Sequence, residues 1–259
     1  MALFTDAEII TLDDLLPFEA SLVQVASAHG INVDQKIALA TSAVSEKLLQ
    51  LLLDTGVSDP QWFSRRVIGL STVVVTSPLL QWLRLESLSR FFAEAYNVQL
   101  NTRFQAKWKQ YQEESRSAAD QTMQAGIGIV FKPLPKPEMP MVSVQQGVAP
   151  AESLFVQCSW IDSMGDESAL SPVNGLLVNS LSSISVQMAE GALGAPPAAF
   201  GWNVYLGSSA NQITCQNGNP LTIGSTWNLP ASGIMNGASP GDGQSPDFIV
   251  PISRQIRRG

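Results

Sequence analysis

His29 is the only histidine in the chain, so a Ser–His–Asp triad or a Cys–His pair has to be built on it. It stands just before Gly30 at an expected helix end, where an imidazole meets the last free carbonyls rather than a nucleophile. Cys158 and Cys215 form no Cys-x-x-Cys pair, and one histidine supplies no zinc ligand set. Gly126-Ile-Gly128 lacks the third glycine and the lysine of a phosphate loop. Asp162, Asp166 and Glu167 offer the hard oxygens that calcium takes. The expected reading is instead a β-turn, with Gly165 as the permissive residue and Asp162 bonding nearby amides. Asp13 with Asp14, and Glu113 with Glu114, are adjacent pairs. Sequence neighbours point apart on a helix, so neither makes a general acid/base couple, and solvated faces are expected. No catalytic residue, cofactor site or metal site is expected, and the chain does not read as an enzyme.

The elements around these residues change character at Phe131-Lys-Pro-Leu-Pro-Lys-Pro-Glu-Met-Pro140. Four prolines in eight residues hold a segment extended and withhold backbone donors, so neither a helix nor a central strand crosses it. The expected organisation is a helical domain over 1–130 and a Pro-rich linker over 131–140. A β-domain over 141–235 and an extended C-terminal arm over 236–259 follow.

Four helical segments are legible in the first part. Residues from about Thr11 to His29 carry Leu12, Leu15, Leu16, Leu22, Val23 and Val25, with Pro17 marking a break or a helix start. Asn32, with Gln35 three residues on, opens the second as a capping box, and Ile37, Ala40, Val44, Leu48, Leu51 and Leu52 form its stripe. Gly56 is expected to stop it. Ser77-Pro78 starts the third, which is apolar on more than one side and suits the centre of a bundle. The fourth, from Asn101 or Thr102, places Phe104, Trp108, Tyr111, Ser115, Ala118 and Thr122 on one narrow face. It reads either as an exposed edge helix or as a subunit contact. Ile127-Gly-Ile-Val-Phe131 suits a short strand.

After Pro140 the period shortens to two. Met141–Val144, Leu154–Ile161, Leu176–Val178, Ile184–Met188, Trp202–Leu206, Gln212–Cys215 and Ser225–Leu229 read as short strands parted by Gly, Pro, Asn and Ser. That spacing is the pattern of a β-sandwich. Trp160, Trp202 and Trp227 supply apolar area, and their indole N–H groups need partners or a wet edge. Cys158 and Cys215 fall on expected strands. With no signal peptide at Met1–Asp6, buried thiols in a reducing compartment are expected, and an inter-strand disulfide is the alternative.

Composition excludes several classes. Of 259 residues, 45% are hydrophobic and 14% charged, which rules out disorder for most of the chain. A net charge of −7 argues against a general nucleic-acid binder. The longest apolar stretches, near Leu48–Leu53 and Ile68–Val75, are too short to span a bilayer, so a soluble protein with no membrane partner is expected. Between Lys136 and Arg254 there is no Lys or Arg. Arg254, Arg257 and Arg258 then crowd the last residues, either as a tail that docks elsewhere or as a solvated terminus. Its spacer, Asn236–Pro246, is too rich in Gly, Pro and Ser for a regular element. Phe248, Ile249, Val250, Ile252 and Ile256 add apolar surface, which suits an arm that is disordered alone and orders on a partner.

Two resemblances follow from these strings. Trp160-Ile-Asp-Ser-Met-Gly-Asp-Glu-Ser-Ala-Leu-Ser-Pro172 resembles the strand-and-turn segment of fibronectin type III-like (Ig-like) modules. Gly201-Trp-Asn-Val-Tyr-Leu-Gly-Ser-Ser209, Gln216–Pro220 and Gly224–Trp227 resemble the companion half of such modules in phage structural proteins. The helical half is similar to the connector (adaptor, or head-completion) proteins of tailed bacteriophages, in the Thr11-Leu-Asp-Asp14 opening, helix order and length. The resemblance implies a virion protein made in the host cytoplasm and placed at the head–tail junction. It would form a homododecameric ring on the portal protein, meet tail or neck proteins, and let DNA pass without sequence-specific binding. It also implies that Phe248, Ile249, Val250, Ile252, Arg254, Ile256, Arg257 and Arg258 grip the portal or a neighbouring subunit. Lys107, Trp108, Tyr111, Glu113 and Glu114 are the candidates for a channel wall or a subunit contact, and an acidic wall there would repel DNA and let it slide. The alternative function is a binding or decoration module whose sandwich recognises a carbohydrate or a coat protein, with Trp202, Tyr205 and Trp227 stacking on sugar rings.

Overall fold

A computed structural model describes residues 1–6, 9–58, 69–149, 152–189, 194–241 and 243–250, with the side chains of 54–58 and 148–149 excepted. The chain is mixed α+β and divides into two compact units. Met1–Asp6 and Lys132–Ser245 make one, and Ala7–Phe131 and Pro246–Gly259 the other.

The helical unit holds α1 (Leu12–Leu15), α2 (Leu22–His29), α3 (Val33–Ser58), α4 (Ser77–Gln99) and α5 (Thr102–Ala125). Pro17 falls between α1 and α2, where its missing donor costs no helical bond. Gly30, at φ 65°, caps α2 in the left-handed region. The Asn32 side chain accepts from the Gln35 amide at 3.0 Å and starts α3. Ala40, Val44, Leu48 and Leu52 are buried along α3, one or two turns apart. Gly56 does not end this helix, which continues to Ser58. A glycine inside a helix costs about 1 kcal/mol against alanine but keeps its amide donor, so on its own it is no stop.

Helix α4 begins one residue earlier than Ser77-Pro78 suggests, with Thr76 as its N-cap. It packs against α1, α2, α3 and α5. Leu79, Trp82, Leu83, Leu88, Phe91, Phe92 and Ala95 are all buried, as a central helix requires. Ion pairs staple its neighbours to it: Arg84 to Asp14 of α1 at 2.7 Å, and Lys36 of α3 to Glu94.

Two short strands close this unit. β1 (Ile127–Ile129) pairs antiparallel with β9 (Asp247–Ile249) in the register Ile127↔Ile249 and Gly128↔Phe248. A Cβ on Gly128 would come within 2.9 Å of Thr76 and 3.0 Å of Pro246, so these two residues pack this closely on β1 because the residue is glycine.

The other unit contains two antiparallel sheets. β2 (Met141–Ala149), β5 (Ser182–Gln187) and β8 (Thr226–Asn228) form one, in the order β2-β5-β8. β3 (Glu152–Ile161), β4 (Asn174–Val178), β6 (Gly201–Gly207) and β7 (Thr214–Cys215) form the other, in the order β4-β3-β6-β7. All seven strands expected from the period-two pattern are present, with shifted ends. Leu154, Val156, Cys158 and Trp160 of β3, Trp202, Val204 and Leu206 of β6, Ile184 and Val186 of β5, and Trp227 of β8 share one core.

Two expected boundaries differ. The Pro-rich segment is no free linker: Leu134 is 1% exposed and belongs to the β core. Prolines fix an extended backbone without stopping the side chains between them from packing. The segment 236–245 is likewise no free spacer, because Gln244 is buried and holds residues 132–134 through two hydrogen bonds. Its Oε1 accepts from Leu134 N at 2.8 Å, and its Nε2 donates to Lys132 O at 2.9 Å. Residues 1–6 join the same unit, where Asp6 accepts from the Lys136 amide at 2.9 Å.

Candidate functional site

Alternation along β6 builds the most developed polar site. Trp202, Val204 and Leu206 turn into the core, so Asn203 and Tyr205 must turn to the opposite face of the sheet. Both are nonetheless buried, Asn203 at 7% and Tyr205 at 2% exposure. They lie against a concavity of about 430 Å³, whose lining includes Asp166, Glu167, Cys215, Asn217, Ser239 and Gly241.

Glu167 is the centre of the site. The Tyr205 hydroxyl donates to its carboxylate, lying 2.8 Å from Oε1 and 2.7 Å from Oε2, and Asn203 Nδ2 also donates to Oε1. Asn217 fixes Asn203 from behind: its Nδ2 donates to Asn203 Oδ1 at 2.8 Å, and its Oδ1 accepts from the Val204 amide at 2.9 Å. Burial, and then the hydrogen bond and charge of Glu167, push the Tyr205 phenol well above its ordinary ionisation range. The phenol therefore stays a proton donor at every physiological pH.

The walls follow from local chemistry. Asp162 Oδ1 accepts from Met164 N at 2.7 Å and Asp166 N at 3.0 Å, and Gly165 adopts φ 93°. This is the turn expected from the sequence, and it spends the Asp162 carboxylate on backbone amides. After the turn, Ser168 and Ser171 hydroxyls accept from the amides of Trp160 and Cys158, each at 3.0 Å. They hold the Glu167 segment alongside β3. On the far wall, buried Gln216 binds the Met235 amide and carbonyl at 2.8 Å and 2.9 Å. Cys215 N donates to Ala238 O at 2.8 Å, and Gly237 is required there because a Cβ would collide with the Cys215 backbone. Cys158 and Cys215 are both free thiols, so the disulfide alternative does not hold. Burial pushes the Cys158 thiol far up, and burial also raises that of Cys215 at the cavity wall. Among the described residues no three His, Cys, Asp or Glu side chains converge as a metal site.

The residues named from sequence are placed elsewhere. Tyr111 is buried in its own unit, stacked on Phe92 at 5.5 Å between centroids, with its hydroxyl donating to Phe18 O at 3.2 Å. Burial and the nearby Glu19 and Glu114 charges push its phenol to about 12. Trp108 stacks on Tyr96 at 6.0 Å, and Lys107 pairs with Glu19. Helix α5 is thus bound to its own unit, because its aromatic stripe meets the aromatic face of α4. Glu113 faces outward, 3.8 Å from Arg116, and Glu114 accepts from Gln110 Nε2 at 2.9 Å. His29 meets Phe104 edge-on at 5.5 Å.

Phe248 and Ile249 lie in β9 rather than in a free arm, with Phe248 56% and Val250 53% exposed. Ile252, Arg254, Ile256, Arg257 and Arg258 lie outside the described residues. Trp202, Tyr205 and Trp227 are buried, so none offers a ring face to a sugar. Period-two alternation in Gly201–Gly207 was the one sequence signal for Asn203 and Tyr205, and nothing local pointed to Asn217. Among the described residues, no helix is long and apolar enough to cross a membrane. Comparison of the chain with protein families, with curated proteins and with solved structures finds no match.

Proposed function

We propose that this chain is a structural virion protein, a subunit of a ring that joins the portal to the tail of a tailed bacteriophage and continues the DNA channel. The observation that carries this reading is the strand order of the β unit. The neighbours β2-β5 and β4-β3-β6-β7 correspond to B-E and C′-C-F-G of an immunoglobulin-like sandwich. Among the described residues no strand A lies beside β2, and β8 is added on the far side of β5. That order agrees with the module resemblance carried by Trp160–Pro172 and Gly201–Ser209. The helical unit supports the same reading. It is a cohesive bundle around α4 whose surface still carries exposed Leu39, Leu49 and Leu53 on α3, as a subunit that assembles with others needs. The role is mechanical, and the acidic balance of the chain lets DNA pass without holding it.

Particle mass tests this directly. The purified chain is measured by mass photometry alone and with a portal ring of its own phage. The expected result is a closed ring of identical subunits, formed alone or on the portal. A chain that stays monomeric and leaves the portal mass unchanged overturns the reading.

A further inference from the structure

The Glu167 concavity is a built site with an unfilled requirement. One phenol carries one proton, so Tyr205 cannot saturate both carboxylate oxygens at once, and Asn203 donates to Oε1 alone. Oε2 keeps lone-pair capacity toward the cavity. Gly241 faces that oxygen without a side chain: a Cβ there would touch Oε2 at 3.4 Å. Asp166 adds a second carboxylate to the lining. No Lys or Arg among the described residues pairs with either acid, and residues 137–253 contain none.

The chemistry of the occupant follows by exclusion. Anions are repelled by two carboxylates. A saccharide needs an aromatic face, and Trp202, Tyr205 and Trp227 are buried. A metal ion needs more convergent ligands than the described residues supply. A planar cation fits, because a guanidinium bonds a carboxylate side-on and its remaining N–H groups suit Asn and backbone acceptors. A volume of about 430 Å³ is in the range of small-ligand clefts.

We propose that this cavity receives an arginine side chain from a second copy of the chain, supplied by the segment bearing Arg254, Arg257 and Arg258. The complementarity is marked in the sequence: the stretch that builds the acidic cavity carries no basic residue, and three arginines follow it within five positions. The ring reading enters only in choosing another copy as the donor.

The test uses the full chain in which Arg254, Arg257 and Arg258 are changed to Ala, so that its own segment does not compete. A fluorescent peptide of residues 253–259 is titrated by anisotropy at moderate salt, beside a peptide with citrulline for each arginine. In parallel, alkylation of Cys215, which lines the cavity, is followed by mass spectrometry. Saturable binding is expected, with slowed Cys215 alkylation and at least a tenfold loss for the citrulline peptide. Glu167→Gln and Gly241→Val are each expected to weaken binding by about tenfold or more, the second by filling the cavity while leaving Glu167 intact. Equal binding by both peptides, or by Gly241→Val and the parent, overturns the proposal. So does tighter binding of N-acetyl-argininamide than of the peptide, which would mark a site for free small cations. None of these readouts depends on a portal, so a monomeric chain that still binds the peptide separates this inference from the ring reading.

Discussion

The Tyr205 hydroxyl and the Glu167 carboxylate, 38 residues apart in sequence, meet at 2.7 and 2.8 Å on the outer face of the four-stranded sheet. A buried phenol with a half-buried carboxylate is a charge-assisted pair, stronger than a neutral hydrogen bond. It also fixes the turn that carries Asp166 and Glu167 against β6. Tyr205→Phe keeps the ring and removes the donor. The β unit is expected to lose about 1–3 kcal/mol in chemical denaturation. A loss under about 0.5 kcal/mol, ordinary for surface changes, would mean that water replaces the phenol.

Gln244 ties the Pro-rich segment down, and its removal tests whether 132–140 behaves as a linker. Gln244→Ala strands the buried Leu134 amide and the Lys132 carbonyl. The parent chain should resist limited proteolysis within 132–136, and the variant should be cut there early. Equal, rapid cutting of both would restore the free-linker expectation.

Acid should weaken the helical unit through two carboxylates. Burial pushes Asp14 up, but the hydrogen bond from Arg84 and those from Thr11 outweigh it, so its carboxyl sits below the usual range. Glu19 follows the same course, with burial outweighed by Lys107, Ser21 and Tyr111. A folded-state pKa below the unfolded one gives stability that is complete above the unfolded value, about 4, and is lost as pH falls through the folded value. Helical circular dichroism during thermal melts should therefore show a midpoint that is flat near neutrality and falls below about pH 4. In Asp14→Asn the fall should be shallower, and an unchanged slope would remove Asp14 from the account.

Adjacent leucines on α3 separate core from surface. Leu48 is fully buried and Leu49 is 41% exposed. Leu48→Ala should cost about 2–5 kcal/mol, whereas Leu49→Ala should stay within about 0.5 kcal/mol in the isolated subunit. Similar losses at both positions in a monomeric sample would show that the helix is rotated from the orientation described.

Periodicity alone determined much of this protein. A 3.6-residue period with Asn32, Pro78 and Asn101 near helix starts gave the long helices, and alternation gave every strand from Met141 to Asn228. Local turn chemistry gave Asp162 and Gly165. These are short-range effects, in which each residue answers to neighbours within about a turn. Partnership across long separations was not legible. Proline density said that 131–140 is extended but not that Leu134 enters a core, because the side chain that meets its amide, Gln244, lies 110 residues away in sequence. Composition made 236–259 read as a free arm, yet Phe248 and Ile249 are claimed by β1, whose edge is presented to them only in the folded unit. The cavity was hidden for the same reason. β6 announces two faces, but which polar face becomes a site was decided when the turn after β3 delivered Glu167 and the loop after β7 delivered Asn217. A lone carboxylate in sequence carries no sign of its partners, and tertiary structure alone brings the donors within hydrogen-bond reach.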